Sequence, residues 1–447
     1  ERFLGDYAIE HNVMPEDAPA VKSADKVAVI GGGPAGLSAA YYLTLKGFSV
    51  TVFEAKDKLG GVLRYGIPEY RLPKNILDAE ISRLENLGIE FKTGTAIGRD
   101  VQMDELSDYS AFFVGVGLQK SRSLGLDNED IPGVKPGLQF LERINNGEKL
   151  EVGKNVLVVG GGNTAMDVAR SAMRLGADVT VVYRRTREEM PAISDEIEEA
   201  AHEGVKFKFL ATPVEVIAGD GRLSEVRCQE MELGAPDESG RRRPVPKDGA
   251  FFTIEADSLL VAIGEQPDAE MFSLLVSLEW GLIVTDEYGK TSHQKIFAGG
   301  DIVSGASTVV NAVARGRGAA ELIEATLNGE EFDPKTMKKV VAIADLNTAY
   351  FMHKKRAEMP QSEGQRGADP FMEVNVGLTC EQVQEEMSRC YSCGVCDGCD
   401  NCYVFCPDVA IARKDGVYTI DYDYCKGCLI CVQECPRDVL STESEAK

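Results

Sequence analysis

The chain has 447 residues, of which 44% are apolar and 27% are charged, a composition that excludes a disordered or fibrous protein. Its 72 acidic and 48 basic side chains give a formal charge of −24, which disfavours binding to nucleic acids or to anionic lipid surfaces. No apolar run approaches the roughly 18 residues that a membrane-spanning helix needs, so no membrane span is expected. The length suits about three domains, each large enough to bury its own core.

The cysteines are concentrated at one end of the chain. Eleven of the twelve lie between Cys380 and Cys435, and Cys228 stands apart from them. A large body poor in cysteine, followed by a dense cysteine segment, indicates metal binding rather than a disulfide scaffold, and so predicts a reducing, cytoplasmic compartment. The chain begins Glu1-Arg2-Phe3, without the basic and apolar regions of a secretory signal and without an initiator Met, so we expect no signal and a trimmed sequence.

The first regular elements form a strand, a turn and a helix. Residues 27–30 predict a buried strand, residues 31–36 a glycine turn and residues 37–46 a helix that ends at Gly47. Residues 50–53 predict a second strand. This order is the building block of a parallel sheet.

The same unit recurs later in the chain. Residues 156–159 predict a strand that leads into the turn 160–165, a helix to about Leu175 and a strand over 179–183. Gly160 corresponds to Gly31 and Gly176 to Gly47, so turn and helix have equal lengths in both copies. Such a repeat predicts two dinucleotide-binding domains.

The first glycine turn has the features of a nucleotide site. Gly31, Gly33 and Gly36 follow a strand and open a helix, where they allow a tight turn and a close approach of a pyrophosphate to the helix N-terminus. Glu54 ends the next strand, about 20 residues on, where its carboxylate is suited to both hydroxyl groups of a ribose.

The second turn predicts a different nucleotide. It reads Gly160-Gly161-Gly162-Asn163-Thr164-Ala165, with alanine as a permitted third residue. The position that corresponds to Glu54 is Tyr183, and Arg184 and Arg185 follow it. Without the acid, and with two guanidinium groups available for a 2′-phosphate, NADP is favoured over NAD. Two sites of different ribose chemistry predict FAD in the first domain and a nicotinamide cofactor in the second.

The rest of the body offers no other catalytic motif. There is no Cys-x-x-Cys before residue 390, and the four histidines are scattered, so we predict no catalytic acid or base. Short strands with turns are expected over 205–260, where the basic triplet 241–243 is interpreted as a solvated hairpin tip rather than a phosphate site. A buried strand end over 296–301 and a helix over 308–327 complete the body.

The cysteine segment contains two copies of the bacterial ferredoxin run, each ending in Cys-Pro. Since three cysteines of a run hold one four-iron cluster and the fourth crosses to the other, two ligand sets are predicted. They are Cys396, Cys399, Cys402 and Cys435 for the first cluster, and Cys406, Cys425, Cys428 and Cys431 for the second. Zinc is the alternative, but it prefers pairs of cysteines with a long spacer between them.

Four cysteines are surplus to these sets: Cys228, Cys380, Cys390 and Cys393. They are either buried free thiols or ligands of an additional centre.

Three segments resemble the glutamate synthase small-subunit family of FAD-dependent, NAD(P)H-oxidising proteins over roughly residues 1–335. They are residues 60–73 (GGVLRYGIPEYRLP), 181–191 (VVYRRTREEMP) and 298–301 (AGGD). The cysteine module is an addition to that subunit, and it resembles electron-transfer subunits of 2-oxoacid and aldehyde oxidoreductases. An N-terminal cluster-binding domain, usual in the family, is expected to be absent or lost from the sequence.

The resemblance implies roles for further residues. Glu54 would take the FAD ribose, Asp301 the ribityl chain, and Thr308 and Val309 would face the pyrimidine edge of the flavin. The full candidate FAD set is Gly31, Gly33, Pro34, Ala35, Gly36, Glu54, Ala55, Gly61, Leu63, Arg64, Gly117, Gly300, Asp301, Thr308 and Val309. The candidate NAD(P) set is Gly160, Gly162, Asn163, Thr164, Ala165, Arg184, Arg185 and Gly264.

The predicted fold is α/β, with two Rossmann-like domains and a small α+β ferredoxin domain. The predicted boundaries are an N-terminal arm at 1–24, a discontinuous FAD domain at 25–135 and 286–335, an inserted NAD(P)H domain at 136–285, a linker at 336–388 and the ferredoxin domain at 389–447. The predicted function is that of an electron-transfer subunit that connects NAD(P)H, through FAD and two 4Fe-4S clusters, with a partner subunit. The alternatives are a small subunit of glutamate synthase and a redox-sensing or scaffold protein.

Overall fold

The computed structural model describes residues 1–13, 23–237, 240–332, 340–362 and 369–443. They form two compact units, a larger one from residues 4–332 and 361–375 and a smaller one from residues 1–3, 333–360 and 376–447, as far as these are described. Parts of the predicted arm (14–22) and of the predicted linker (336–339 and 363–368) lie outside the described residues.

Helices are distributed along both units. The α-helices are Arg2–Glu10, Pro34–Leu45, Val62–Tyr65, Lys74–Asn86, Gly137–Asn145, Asn163–Arg174, Ser194–His202, Asp301–Ser304, Val309–Asn328, Cys380–Ser388, Asn401–Val404 and Ile430–Gln433. Short 3-10 helices are Met103–Leu106, Arg187–Glu189, Glu270–Phe272, Ile343–Asp345 and Thr348–Tyr350. Within the described residues, no helix has the length and apolar character needed to cross a bilayer.

The larger unit contains two parallel five-stranded sheets of similar order. The first runs Ile296–Ala298, Ala111–Val114, Lys26–Ile30, Ser49–Phe53 and Glu90–Lys92 from edge to edge. The second runs Val134–Pro136, Ser258–Val261, Asn155–Val159, Asp178–Tyr183 and Lys206–Phe209. In both, the strand before the glycine turn lies centrally, with the next two strands on one side and a later strand on the other. The repeat predicted from the sequence is therefore present in the topology.

Alternate residues of each central strand point to opposite faces, so each sheet is buried on both sides. On the first sheet, Val27 and Val29 pack with helices Pro34–Leu45 and Val309–Asn328, whereas Ala28 and Ile30 pack with Phe272 on the other face. This double coverage explains why the strands read as short, continuous apolar runs.

The region predicted as short strands and turns is a three-stranded antiparallel sheet of long strands. Its strands are Ala211–Gly219, Arg222–Pro236 and Arg242–Glu255. Register shifts between Gln229 and Met231, and again between Leu233 and Pro236, break the two-residue period that would have revealed the length of the strands. The basic triplet does lie at the hairpin, since Arg242 pairs with Pro236.

The chain passes between the two parallel sheets through two paired crossing strands. Leu118–Ser121 runs from the first sheet towards the second, and Glu265–Pro267 returns antiparallel to it. Residues 124–134 accordingly pack on the second sheet and residues 269–283 on the first. Both transfers lie earlier in the chain than the predicted domain boundaries at 135/136 and 285/286, which remain predictions.

The smaller unit contains the cysteine segment. An antiparallel hairpin, Ile411–Lys414 with Val417–Ile420, separates the short helices Asn401–Val404 and Ile430–Gln433. Helix Cys380–Ser388 lies in the stretch predicted as a linker, and its start carries a capping box made by Thr379 and Gln382.

Helix Val309–Asn328 packs closely on helix Pro34–Leu45 through one glycine. A Cβ atom at Gly316 would lie 2.2 Å from the Ala35 carbonyl oxygen and 3.0 Å from the Ala39 nitrogen, whereas a Cβ atom at Gly318 would meet nothing within 4 Å. The two glycines thus share a helix but differ in surroundings.

We expect Gly316→Ala to separate the two helices and to lower the free energy of unfolding by about 1–3 kcal/mol, the usual cost of overpacking. Gly318→Ala is the matched control, and we expect it to be neutral or stabilising by up to about 1 kcal/mol because alanine favours helix. Thermal unfolding of the two variants measures the difference, and equal melting temperatures would contradict the prediction.

Candidate functional site

The first glycine turn is shaped by contacts that exclude side chains. Gly31 has a φ of +103°, and a Cβ atom there would lie 2.6 Å from the Gly115 carbonyl oxygen. A Cβ atom at Gly36 would lie 1.9 Å from the Gly31 carbonyl oxygen. Helix Pro34–Leu45 begins directly after Gly33, with proline in its first turn. The turn therefore presents backbone N–H groups at a helix N-terminus, the arrangement that holds a phosphate.

Glu54 is buried beside this turn. Its Oε2 accepts the Gly32 N–H at 2.7 Å, and its Oε1 accepts the Lys56 N–H at 2.9 Å. Each carboxylate oxygen has a second lone pair, so the group retains capacity for ribose hydroxyls. The residues present fit an adenosine moiety whose ribose lies at Glu54.

The family motif at residues 60–73 begins against the same turn. The Gly60 N–H donates to the Gly32 carbonyl at 2.8 Å, and a Cβ atom at Gly61 would lie 3.0 Å from the Gly33 Cα. Arg64, predicted to line the flavin region, is buried, with its Nε donating to the Leu59 carbonyl at 2.6 Å and its guanidinium contacting Asp78. Arg64 therefore braces this loop, while the partly exposed Leu63 and Gly61 remain next to the turn.

The C-terminal part of the candidate FAD set is near the first turn as well. Gly300 has a φ of +77°, and a Cβ atom there would lie 2.8 Å from the Cβ of Ala35. Burial raises the pKa of the neighbouring Asp301 carboxyl, which also accepts the Ser307 hydroxyl at 2.8 Å. Thr308 caps helix Val309–Asn328 by accepting the Asn311 N–H at 3.3 Å. Of the other candidates, Gly117 has a positive φ and Ala55 is exposed.

The second glycine turn has the same construction with a different neighbour. Gly160 has a φ of +145°, and a Cβ atom there would lie 2.1 Å from the Ala262 carbonyl oxygen. The buried Tyr183 ring covers Gly161, where a Cβ atom would lie 2.5 Å from the ring. Gly162 is open and precedes helix Asn163–Arg174. These residues fit a second pyrophosphate, with an aromatic ring in the place of Glu54.

The structure separates the two arginines predicted for a 2′-phosphate. Arg184 is exposed. Arg185 is buried, where its Nε donates to the Arg242 carbonyl at 2.7 Å and its guanidinium pairs with Asp237 at 2.6 Å. Arg185 thus holds the antiparallel hairpin to the second sheet, because strand pairing at Arg242 brings an acceptor that local sequence could not reveal; its role at a 2′-phosphate stays a prediction.

One carboxyl group, that of Glu265, connects the second turn electrostatically with Asp301 of the candidate FAD set. Thr164, in the second turn, donates its hydroxyl to Glu265 at 3.4 Å. Burial raises the pKa of Glu265, the negative charge of Asp301 raises it further, and Arg122 opposes both. Glu265 follows Gly264, the last NAD(P) candidate, whose carbonyl accepts the Arg122 N–H at 3.0 Å.

The cysteines of the first predicted cluster set lie near one another. Burial raises the pKa of the Cys402 thiol, and the charges of Cys399, Cys396 and Cys435 raise it further. In the second set, burial and the charges of Cys428 and Cys425 raise the pKa of Cys431. Among the described residues, no group of three or more His, Cys, Asp or Glu side chains is arranged to hold a metal ion.

The two halves of the cysteine segment repeat the same local geometry. Cys406 accepts the Ala410 N–H at 3.3 Å, and Cys435 accepts the Val439 N–H at 3.4 Å. The short helices that carry Cys402 and Cys431 each begin after a left-handed residue, Asp400 in one and Leu429 in the other. N–H donation to cysteine sulfur is a feature of iron–sulfur sites, where it tunes the cluster. The donor set therefore fits two clusters related by an internal repeat.

Of the surplus cysteines, Cys380, Cys390 and Cys393 are exposed. Cys228 is fully buried in strand Arg222–Pro236, and burial raises the pKa of its thiol to about 12.

Sequence reasoning missed a buried ionic network in the larger unit. Its members come from the family motif, from helix Asn163–Arg174 and from helix Ser194–His202: Tyr70, Arg71, Asp167, Arg170, Arg174, Glu196, Glu199 and Glu203. Arg170 and Arg174 are four residues apart, and the three glutamates have helical spacing. A basic face on one helix and an acidic face on another were therefore the sequence signal that could have predicted this network.

Two paired α/β sheets with matching glycine turns define a flavoprotein oxidoreductase fold. The chain belongs to the pyridine nucleotide-disulphide oxidoreductase family, whose match covers residues 25–316. Residues 418–441 match the 4Fe-4S binding domain. These matches confirm the predicted fold class, the predicted family and the predicted cofactor classes, FAD, a pyridine nucleotide and 4Fe-4S clusters.

Curated relatives are similar over most of the chain. The NADP(+)-dependent formate dehydrogenase subunit beta of Moorella thermoacetica is 42% identical, over 88% of this chain and 61% of the relative. The NADPH-Fe(3+) oxidoreductase subunit beta of Geobacter sulfurreducens is 35% identical, over 88% of this chain and 65% of the relative. The chain thus spans less than two thirds of the length of these relatives.

The Escherichia coli glutamate synthase [NADPH] small chain is 41% identical over 72% of each chain. Among solved structures, Mycobacterium tuberculosis FprA in complex with NADPH has a TM-score of 0.59 at 19% identity, over 69% of this chain and 85% of that one. At that identity the likeness concerns the fold alone. The family and these relatives are oxidoreductases, which agrees with the predicted enzyme class.

We expect Cys228 to resist alkylation in the native protein, because a pKa of about 12 leaves about one thiol in ten thousand ionised at pH 8. Mass spectrometry after a short iodoacetamide pulse measures the modification. The exposed Cys380 is the internal control. Cys228 should react only after denaturation, and equal labelling of both thiols in the native state would contradict its burial.

Proposed function

We propose that the chain is an electron-transfer subunit that connects NADPH with a partner oxidoreductase subunit through one FAD and two 4Fe-4S clusters. The observation that carries the proposal is the presence, in one chain, of two nucleotide turns with different ribose neighbours and a repeated set of cluster-type cysteines. A disulphide reductase of this fold would need a redox cysteine pair in the nucleotide-binding body, and the only cysteine there is the buried Cys228.

FAD, when bound, accepts an electron pair as hydride from a reduced nicotinamide and releases electrons singly to iron–sulfur clusters. The residues of the first turn would hold the pyrophosphate on backbone N–H groups, and Glu54 would fix the ribose. The dipole of helix Val309–Asn328, which Thr308 caps, favours negative charge at its N-terminus. None of these roles needs a side chain that gains or loses a proton, which is why we assign no catalytic acid or base.

We further propose that the ligand sets are those predicted from the spacing, with Cys402 beside Cys399, Cys396 and Cys435 in the first. The electrostatic effect of Cys435 on the pKa of Cys402, alongside that of Cys399 and Cys396, supports the crossing of Cys435 from the second run to the first. The N–H groups donated to Cys406 and Cys435 support equivalent roles for these two cysteines in the two clusters.

The partner is proposed to oxidise or reduce a small carbonyl compound, such as formate, a 2-oxoacid or an aldehyde. The formate dehydrogenase relative supports this class, and a reducing, cytoplasmic location agrees with a cysteine segment used for clusters. The chain itself would then supply electrons or take them, and the chemistry of the substrate would belong to the partner.

The exposed Arg184 is proposed to pair with the 2′-phosphate of NADP. We expect Arg184→Ala to lower kcat/KM for NADPH by about tenfold or more while leaving that for NADH within about twofold, since one charge-assisted phosphate contact is lost. Steady-state reduction of an artificial acceptor measures both values.

Arg185→Ala is the matched variant. Because Arg185 holds Asp237 and the Arg242 carbonyl, we expect a loss of about 1–3 kcal/mol of stability with little change in the NADPH to NADH preference. If Arg185→Ala changes the NADPH to NADH preference and Arg184→Ala does not, Arg185 and not Arg184 pairs with the 2′-phosphate.

The decisive experiment is an anaerobic titration of the purified protein with NADPH, with NADH as a parallel series, in which flavin and cluster absorbance are followed together. Bleaching of both chromophores is the expected result. Bleaching of the flavin alone would indicate structural clusters, and absence of flavin after gentle purification would favour a scaffold. Iron should be near eight atoms per chain, since each cluster contains four.

Cys396→Ser tests the ligand assignment within the same titration. We expect this variant to lose cluster absorbance and iron while its flavin is still reduced by NADPH. Cys380→Ser is the matched control, because Cys380 is exposed and surplus to both sets. Loss of iron in Cys380→Ser to the same extent would contradict the assignment.

A further inference from the structure

We propose that the ion pair between Arg71 and Asp167 is a positioning element for hydride transfer, because it connects the two nucleotide turns through a continuous path of contacts. This inference rests on the proposed function, since it assumes that the two turns hold the flavin and nicotinamide nucleotides. It concerns residues that touch neither turn.

The pair joins a half-buried Arg71 to a buried Asp167 through several bonds. One guanidinium nitrogen of Arg71 donates to both carboxylate oxygens of Asp167, at 2.8 Å each, and the other contacts Glu196 at 2.9 Å. The Asp167 side chain is 6% exposed and that of Arg71 is 20% exposed. The Tyr70 hydroxyl donates to the Asp167 carbonyl at 3.3 Å. Such a pair is costly to bury unless its geometry is well satisfied, as it is here.

On the side of the first turn, the path runs through the family motif. Gly60 donates to the Gly32 carbonyl, and Gly61 lies against Gly33, so the loop starts in contact with the turn. The loop is then stiffened internally. The Lys74 ammonium donates to the carbonyls of Ile67 and Leu72 at 2.6 and 3.0 Å, and burial lowers the pKa of Lys74 to about 8.

On the side of the second turn, the path is a single helix. Asp167 lies on helix Asn163–Arg174, whose first residues are part of the turn. Arg170 lies on the same helix and is fully buried. It pairs with Glu196 at 2.7 Å and with Glu203 at 2.8 Å, and these ion pairs stabilise the position of the helix. Glu196 therefore bridges Arg71 and Arg170, one oxygen to each.

Tyr70 stabilises the centre of this path of contacts. It is fully buried, with the Arg174 guanidinium 3.7 Å from its ring centroid, and its backbone carbonyl accepts the Val374 N–H at 2.9 Å. Asn375, next in sequence, contacts Glu199 at 3.2 Å. The segment 369–375 thus packs against the junction, where partial burial strengthens the ion pairs.

The path matters because hydride transfer depends steeply on distance. A misplacement of about 1 Å can reduce a rate by about a hundredfold, even when it arises away from the reacting atoms. Rigid contact from Gly32 to Asn163 fixes the relative position of the two nucleotides without either nucleotide contributing to it. Arg71 acts through Asp167 and is a positioning residue.

The test compares Arg71→Ala with the wild-type full chain, loaded with FAD and clusters, in anaerobic stopped flow. At saturating NADPH we expect the first-order rate of flavin reduction to fall by about ten- to a hundredfold. The NADPH concentration that gives half the maximal rate should change by less than about twofold, since Arg71 does not touch the second turn. Arg71→Lys, which keeps the charge, should recover most of the rate.

A second readout needs no turnover. In hydrogen–deuterium exchange, Arg71→Ala should increase exchange in residues 62–73 and in helix Asn163–Arg174 together, because the variant removes the ionic link between them and leaves only the contacts of Tyr70. Arg143→Ala is the matched control: Arg143 pairs with Glu148 at 2.7 Å on an exposed surface, and both readouts should stay at the wild-type level. If Arg71→Ala does not fold, Asp167→Asn provides the same two measurements.

The inference is overturned if a folded Arg71→Ala that retains FAD is reduced at the wild-type rate. It is also overturned if hydrogen–deuterium exchange increases in only one of the two segments, residues 62–73 or helix Asn163–Arg174. A loss of rate that accompanies an equal loss of NADPH affinity would also overturn it, because it would indicate a binding role. If neither nicotinamide reduces the flavin of the wild type, the proposed function fails, and the exchange measurement still tests the link.

Discussion

The larger unit depends on the absence of a side chain at Gly36. A Cβ atom there would lie 1.9 Å from the Gly31 carbonyl oxygen, so only glycine lets the first helix start immediately after the first strand. Two more glycines pack closely on this helix. A Cβ atom at Gly300 would lie 2.8 Å from the Ala35 Cβ, and one at Gly316 would lie 2.2 Å from the Ala35 carbonyl oxygen. The turn, the Asp301 segment and the last long helix therefore converge on one point, which forms the candidate FAD site.

The two turns differ at the position that we propose distinguishes their nucleotides. In the first, a buried carboxylate accepts the Gly32 N–H; in the second, the Tyr183 ring covers Gly161. The polypeptide around them is otherwise alike, with the same strand order and equal helix length. A carboxylate suits two ribose hydroxyls and repels a 2′-phosphate, whereas an aromatic face is neutral to it. In the proposed assignment, a single side chain at one strand end thus separates the two sites.

The sequence alone predicted the features that depend on residues close to one another in the chain. The glycine turns, Glu54 and the cysteine runs depend on spacings within about 25 residues, and helix Cys380–Ser388 was missed although Thr379 and Gln382 gave a local capping signal. The contacts of Arg185 and Arg71 depend on partners far along the chain, Asp237 and Asp167, which only strand pairing and helix packing bring close. The long antiparallel strands were missed because register shifts interrupt the two-residue period that would have revealed them.

The two units differ in what stabilises them. The larger one buries extensive apolar clusters on both faces of each parallel sheet. In the smaller one, the buried apolar side chains among the described residues are Leu346, Ala410, Ile411 and Pro436. So small a core cannot offset the entropy of ordering the cysteine segment, and in the proposed assignment the thiolate–iron bonds supply the difference. The residues that would carry electrons are then also those that fold the unit, so loss of a ligand acts on both.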